Sequence, residues 1–386
     1  MPRPAAKAED PFLAKARRLL RRHPLIDGHN DLPWVIRNAA GGDVAAFDLA
    51  REHPETDTDI PRLKQGQVAA QLFAAYLPTK TAHPAREMLA QIDLARRIIG
   101  EHPETFVHAT RPADVLRAQK SDRIAVFVTV ENGVGLENSI APLRIWHAAG
   151  VRVFTLCHNE TLDWIDSATD TPRHNGLADF GRAVVQECNR IGMLIDLAHV
   201  APPAMHHVLD TTRAPVVWSH SNAAALCQAR RNVPDDVLDR VRENGGVVMA
   251  TFVPRFLSDQ PIATVRRKGA SEAALGTRAE ADAPASGLGL MCDHLAYLRE
   301  RVGEDHVGIG SDFYGGDTPV GLADASCFPV LFAELLRRGW KEPQLAKLAG
   351  GNLLRVLARV QRIGKRLGGQ EAPRLDVMGT PGTGQG

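Results

Sequence analysis

Leu25-Ile26-Asp27-Gly28-His29-Asn30-Asp31-Leu32-Pro33 opens on an apolar pair and turns abruptly polar. In an extended strand, residues two apart point the same way. His29 and Asp31 would therefore bring an imidazole and a carboxylate into one space. Gly28 weakens a strand, and glycine is found there where a backbone must approach something closely. A neutral imidazole nitrogen and a carboxylate oxygen are both ligands for zinc-like ions. A strand end capping a neighbouring helix would look similar, so the rest of the chain has to decide between the two.

The same pattern recurs. Val68–Tyr76, Ile124–Val130, Val151–Leu156, Met193–Leu197, Ala214–Trp218, Val247–Val253 and Val307–Gly310 are further apolar runs of strand length. Helical patterns separate most of them: residues 88–99 stopped by Gly100, 142–149 by Gly150, 176–191 by Gly192, and segments beginning at Pro202, Pro234 and Leu290. Eight strands alternating with helices predict a parallel sheet closed into a (β/α)₈ barrel. A doubly wound open sheet fits less well, because no G-x-G-x-x-G follows the first strand.

Residues 10–366 are read as one domain. Asp10 caps a first helix with Pro11 at its first turn, docked on the barrel surface. Residues 1–9, and a Gly-, Pro- and Thr-rich tail over 367–386, are expected to be disordered, and residues 257–285 to form a mobile excursion over the barrel mouth. A net charge of +1 without a basic, aromatic-laced stripe argues against nucleic-acid binding. Five scattered cysteines without a C-x-x-C suit reduced thiols, and no apolar segment has signal-peptide or membrane-spanning character. These features predict a cytoplasmic protein without stable membrane anchoring.

The strand ends carry the chemistry. His29 and Asp31 end the first strand, Glu131 the third, His158 the fourth, His199 the fifth, His220 the sixth and Asp312 the eighth. In a barrel these ends open on one face, where active sites are built. Buried imidazoles and carboxylates are costly without partners, so their convergence predicts a metal site. The ligands exceed what one tetrahedral ion needs. Glu131 could bridge two ions holding a water between them, with an Asp beside it as proton acceptor. Amide hydrolysis fits that equipment. Cys157, although next to His158, reads as a buried, inert thiol.

The segments DGHNDLP (27–33), TDIPRL (58–63), VENG (130–133), GLADFGRAVVQECNRIGMLIDLAHV (176–200), WSHSNA (218–223), RRNVPDD (230–236), GIGSDF (308–313) and GGNLLRV (350–356) together resemble the renal (membrane) dipeptidase family of zinc peptidases. The resemblance runs over about residues 23–362. It implies a barrel with two zinc ions per subunit that cleaves dipeptides through a metal-bridging hydroxide and tolerates a D-residue at the C-terminal position. By the same resemblance His29, Asp31 and Glu131 hold one zinc, and Glu131, His199 and His220 the other. Asp312 is the base and proton shuttle, and His158 stabilises the oxyanion. Arg231 binds the substrate carboxylate; alignment on Asn232-Val233-Pro234 selects it over Arg230. A homodimer is a family-level expectation.

Asn132, Thr251 and Tyr314 depart from the family pattern and are expected to line the pocket, leaving substrate preference open. Rival readings are a barrel amidohydrolase acting on N-acyl amino acids or lactams, and a non-catalytic metal- or peptide-binding protein.

Overall fold

The computed structural model describes residues 10–265 and 287–378. The disorder expected for residues 1–9 and 379–386, and most of the excursion expected over 257–285, lie outside the described residues.

Each of the eight apolar runs contributes one strand: β1 (Leu25–Asn30), β2 (Val68–Tyr76), β3 (Ile124–Glu131), β4 (Val153–Thr155), β5 (Leu194–Asp196), β6 (Val217–Trp218), β7 (Val247–Ala250) and β8 (Val307–Ile309). They pair in parallel in chain order. The seam between β8 and β1 closes at the mouth. Asn30 bridges Phe313, and the amide of Asp312 donates to the His29 carbonyl at 3.3 Å. Helices wrap the outside, completing a (β/α)₈ barrel.

Several strands are shorter than their apolar runs. Hydrogen bonds continue past the regular ladder, as from Leu156 N–H to the Asp196 carbonyl and from Leu197 N–H to Val217. The residues beyond become the loops of the mouth. A three-residue strand, Phe106–His108, also pairs with the start of β3 and is followed by the helix Pro112–Lys120. Thr264–Val265 pairs antiparallel with Thr318–Pro319, tying the start of the 257–285 segment to the loop after β8.

The first helix, Pro11–Arg22, is capped by the Asp10 carboxylate on the Phe12 amide, as expected. It buries Ala16, Leu19 and Leu20 against the helix Phe328–Arg337; each buried leucine contributes about 1.5–3 kcal/mol.

The tail needs a correction. The last helix runs from Asn352 to Gly368, and residues 369–378 lie along the barrel instead of forming the start of a disordered tail. The Arg374 amide donates to the fully buried Glu187 carboxylate, its guanidinium donates to Gln186, and the Met378 amide donates to the Asn138 carbonyl. Glycine and proline made this stretch look unstructured, but Arg374 on the buried Glu187, Glu371 on Arg213 and Met378 on Asn138 hold it.

Inside the barrel the packing depends on missing side chains. A Cβ on Gly310 would sit 1.7 Å from the Ser219 carbonyl oxygen, and one on Gly28 would sit 2.7 Å from the same atom. Strands β1 and β8 therefore press directly against the end of β6. Among the described residues no helix is long and apolar enough to cross a membrane.

Candidate metal centre

All the strand-end residues singled out from the sequence converge at the mouth. The His29 Nε2 lies 3.6 Å from an Asp31 oxygen and 3.4 Å from Glu131 Oε2. The other Glu131 oxygen, Oε1, lies 3.1 Å from His199 Nε2 and 3.8 Å from His220 Nε2. The two sets, His29–Asp31–Glu131 and Glu131–His199–His220, each have the compactness of a metal site and share one glutamate. A third grouping, His29–His220–Asp312, brings Asp312 to the same space.

The local folding explains these positions. Asn30 uses its side chain to take the Leu32 amide and to donate to Thr58, ending β1 so that Asp31 turns in beside His29. His199 has a φ of 69°, its carbonyl held by the Ala168 amide. Asp312 has a φ of 60°, and Gly315 lies so close that a Cβ there would meet the Asp312 carboxylate at 2.3 Å. Such conformations are costly for residues other than glycine and cluster at functional sites.

Buried carboxylates further back hold the ligands. Asp196 accepts from Thr155 Oγ1, the Ala198 amide, and both the amide and Oγ of Ser219. The Ser219 proton goes to Asp196, so its oxygen accepts from His220 Nδ1–H at 2.7 Å. His199 donates Nδ1–H to Asn159 Oδ1. Both rings thus present Nε2 lone pairs, only 3.0 Å apart. Burial, reinforced by Arg231, pushes both imidazoles well below their ordinary pKa and keeps them neutral.

The site's electrostatics call for a cation. Burial disfavours charge on His29, but Glu131 and Asp31 override it and hold its pKa well above normal. Burial raises Glu131, with His29 opposing, and lifts Asp312 to about 7, with His29 again opposing. Among the described residues, the buried His29 Nε2 and Asp31 Oδ1 find no hydrogen-bond partner. Orphaned ligand atoms, facing lone pairs and several buried carboxylates together suit divalent cations.

Around this centre is a cleft of about 270 Å³ lined by acidic, aromatic and cationic groups, including Trp34, Tyr76, His158, Arg231, Arg255 and Tyr314. Arg231 is buried with both terminal nitrogens unpartnered, whereas Arg230 is exposed. His158 stands with Nδ1 3.4 Å from the Tyr76 hydroxyl, and burial, with Arg231 adding, depresses its pKa to about 3. Cys157 is fully buried and its thiol is pushed up by that burial, as an inert thiol should be.

Of the three departures, only Tyr314 lines the cleft, its hydroxyl bonded to the Thr58 backbone. Asn132 is buried and binds Leu77 and Thr79; Thr251 is buried between Asn222 and Ser311. Both serve loop architecture and not the pocket. Sequence reading passed over Trp34, Tyr76, Asn159, Arg255 and Phe256. The only signal was Tyr76 closing the one early strand without a ligand.

Residues 13–371 match the profile of the membrane dipeptidase family, peptidase family M19. The chain is 36% identical over 370 residues to Dipeptidase 3 of Rattus norvegicus, covering 94% of this chain and 70% of that protein. The chain belongs to the membrane dipeptidase family. A metallo peptidase from Rhodobacter sphaeroides, solved with a phosphinate mimic of the dipeptide L-Ala-D-Ala, is 25% identical with a TM-score of 0.74, over 88% of this chain and 99% of that one. The probable dipeptidase PvdM from Pseudomonas aeruginosa shares the fold at 24% identity and a TM-score of 0.79, over 91% and 99% of the two chains. Membership of the membrane dipeptidases makes this protein a metal-dependent hydrolase of the peptide bond in dipeptides, which are small-molecule substrates.

Proposed function

We propose that the protein is a binuclear zinc dipeptidase that accepts a D-residue at the C-terminal position. The observation that carries the two-ion reading is Glu131, whose oxygens face separate ligand sets. His29, Asp31 and Glu131 would hold one zinc, and Glu131, His199 and His220 the other. When bound, such a pair supplies Lewis acidity towards a carbonyl oxygen and acidifies water at neutral pH.

The chain's own groups do the rest. Asp312, lifted to about 7, takes the proton lost by the attacking water and returns it to the departing amine nitrogen. Burial keeps the Tyr76 hydroxyl protonated, so it donates to His158 Nδ1 and leaves the proton on Nε2. His158 then offers a neutral N–H to the oxyanion that develops on the carbonyl. The empty Arg231 fork binds the free carboxylate in a bidentate pair. Acceptance of a D-residue is supported by the L-Ala-D-Ala mimic held by the Rhodobacter relative. All five cysteines are free and buried, which supports a reducing, cytoplasmic setting.

The test offers the zinc-loaded protein Ala-Ala, with L and D C-terminal residues, and N-acetylalanine, with metal content measured on the same sample. Cleavage of both dipeptides at two zinc ions per chain is expected. Equal turnover of N-acetylalanine would favour the amidohydrolase reading and overturn this one.

A further inference from the structure

The cleft contains a second arginine that the reaction does not use. Arg255, in the short helix Pro254–Leu257 after β7, is exposed and lines the cleft; its guanidinium carbon lies 4.7 Å from the centre of the Phe256 ring. The Arg231 guanidinium carbon lies 5.5 Å from the same centre. Two cations thus sit against one aromatic ring that lines the cleft. Asp31, Glu131 and Asp312 occupy the metal-holding end.

Arg255 donates through Nη2 to the Gly315 carbonyl at 3.3 Å, and no carboxylate of the described residues forms an ion pair with it. It lies against the bare Gly315-Gly316 segment, where a Cβ on Gly316 would come within 3.2 Å of Nη1. A guanidinium held over a ring with donors to spare is a ready partner for a carboxylate.

We propose that Arg255 selects dipeptides whose C-terminal residue is acidic, an inference that rests on the dipeptidase reading above. Arg231 holds the α-carboxylate, and Arg255, against the same ring, takes the side-chain carboxylate. A neutral amide of the same shape would keep the first contact and lose the charge-assisted part of the second.

The experiment compares kcat/KM for Ala-Glu and Ala-Gln, each with L and D C-terminal residues, in the zinc-loaded full-length protein. The acidic substrate is expected to lead by about tenfold, mainly through KM. That lead shrinks as salt is raised to about 0.5 M. In Arg255→Met the Glu/Gln ratio collapses towards one. In Arg255→Glu it inverts and Ala-Lys gains over Ala-Gln. Thermal unfolding of both variants, altered only at an exposed side chain, controls for folding. A wild-type ratio near one, or an undiminished ratio in Arg255→Met, overturns the assignment while leaving the dipeptidase intact. Failure to cleave any of these dipeptides overturns both.

Discussion

Two walls of the barrel mouth use the same device for different ends. On the β5–β6 wall, Asp196 accepts the amide and hydroxyl of Ser219, the residue just before His220. On the β8–β1 wall, Asp27 accepts the amide and hydroxyl of Ser311, the residue just before Asp312. On the first wall the serine oxygen passes the constraint on to the His220 ring and fixes which nitrogen is free. On the second, Asp27 also takes Gln71 of β2, and the serine ties down backbone where the first and last strands meet. One buried carboxylate orients the imidazole of His220, a candidate ligand; the other fastens the ring beside Asp312, the proposed base. The chemical context of the residue after the serine decides what the device accomplishes.

The largest expected contrast is between the residues the two serines precede. His220→Ala should lose bound metal and activity together, read by elemental analysis and dipeptide turnover. Asp312→Asn should lower kcat by on the order of 10²–10⁴-fold with metal content unchanged. A variant at Asp312 that also lost its metal would erase the division of labour between the walls.

Deleting the serine hydroxyls sharpens the comparison. Ser219→Ala should weaken metal affinity about 10–100-fold, measured by competition with a chelating dye, because the His220 ring loses its orienting partner. Ser311→Ala should leave that affinity nearly unchanged and cost about 1–3 kcal/mol in denaturant unfolding, because Asp27 loses a buried donor. Equal metal affinities in the two variants would show that the walls do not differ.

The smallest effect concerns pH. Burial raises the Asp27 pKa above its ordinary 3.8, against the hydrogen bonds from Ser311 and Gln71. The folded state therefore holds this proton more tightly than the unfolded chain. The stability it contributes is complete below pH 3.8 and is lost as pH rises through the folded-state value. Asp27→Asn should flatten that part of the stability–pH curve, followed by urea unfolding across the window; an unchanged slope would assign it to another group.

The barrel was legible because each strand is a compact apolar run, and the cluster at its mouth because six of them end in a residue with ligand chemistry. Other features were hidden for physical reasons. Asp27 and Ser311 are 284 positions apart, and nothing local in Leu25-Ile26-Asp27 marks that carboxylate as a fastener. Tyr76, Arg255 and Phe256 act through placement in the cleft and carry no metal-ligand signature. Asn132 follows Glu131 and Thr251 follows β7, yet both turn into the loops, since a place at a strand end does not fix which way a side chain points. The 369–378 segment reads as tail because its anchor, Glu187, lies on a helix far away in the chain.

Gly28 and Gly310, with the Ser219 carbonyl between them, act as a caliper for the whole active centre. The width of the barrel at its open end is set by two absent methyl groups. A single alanine at position 310 would force opposite sides of the ring apart without touching any ligand. The spacing between the two side-chain sets that share Glu131 is thus tied to the smallest residues in the interior, and a designer wishing to change which metals fit would adjust that gauge and leave every candidate ligand in place.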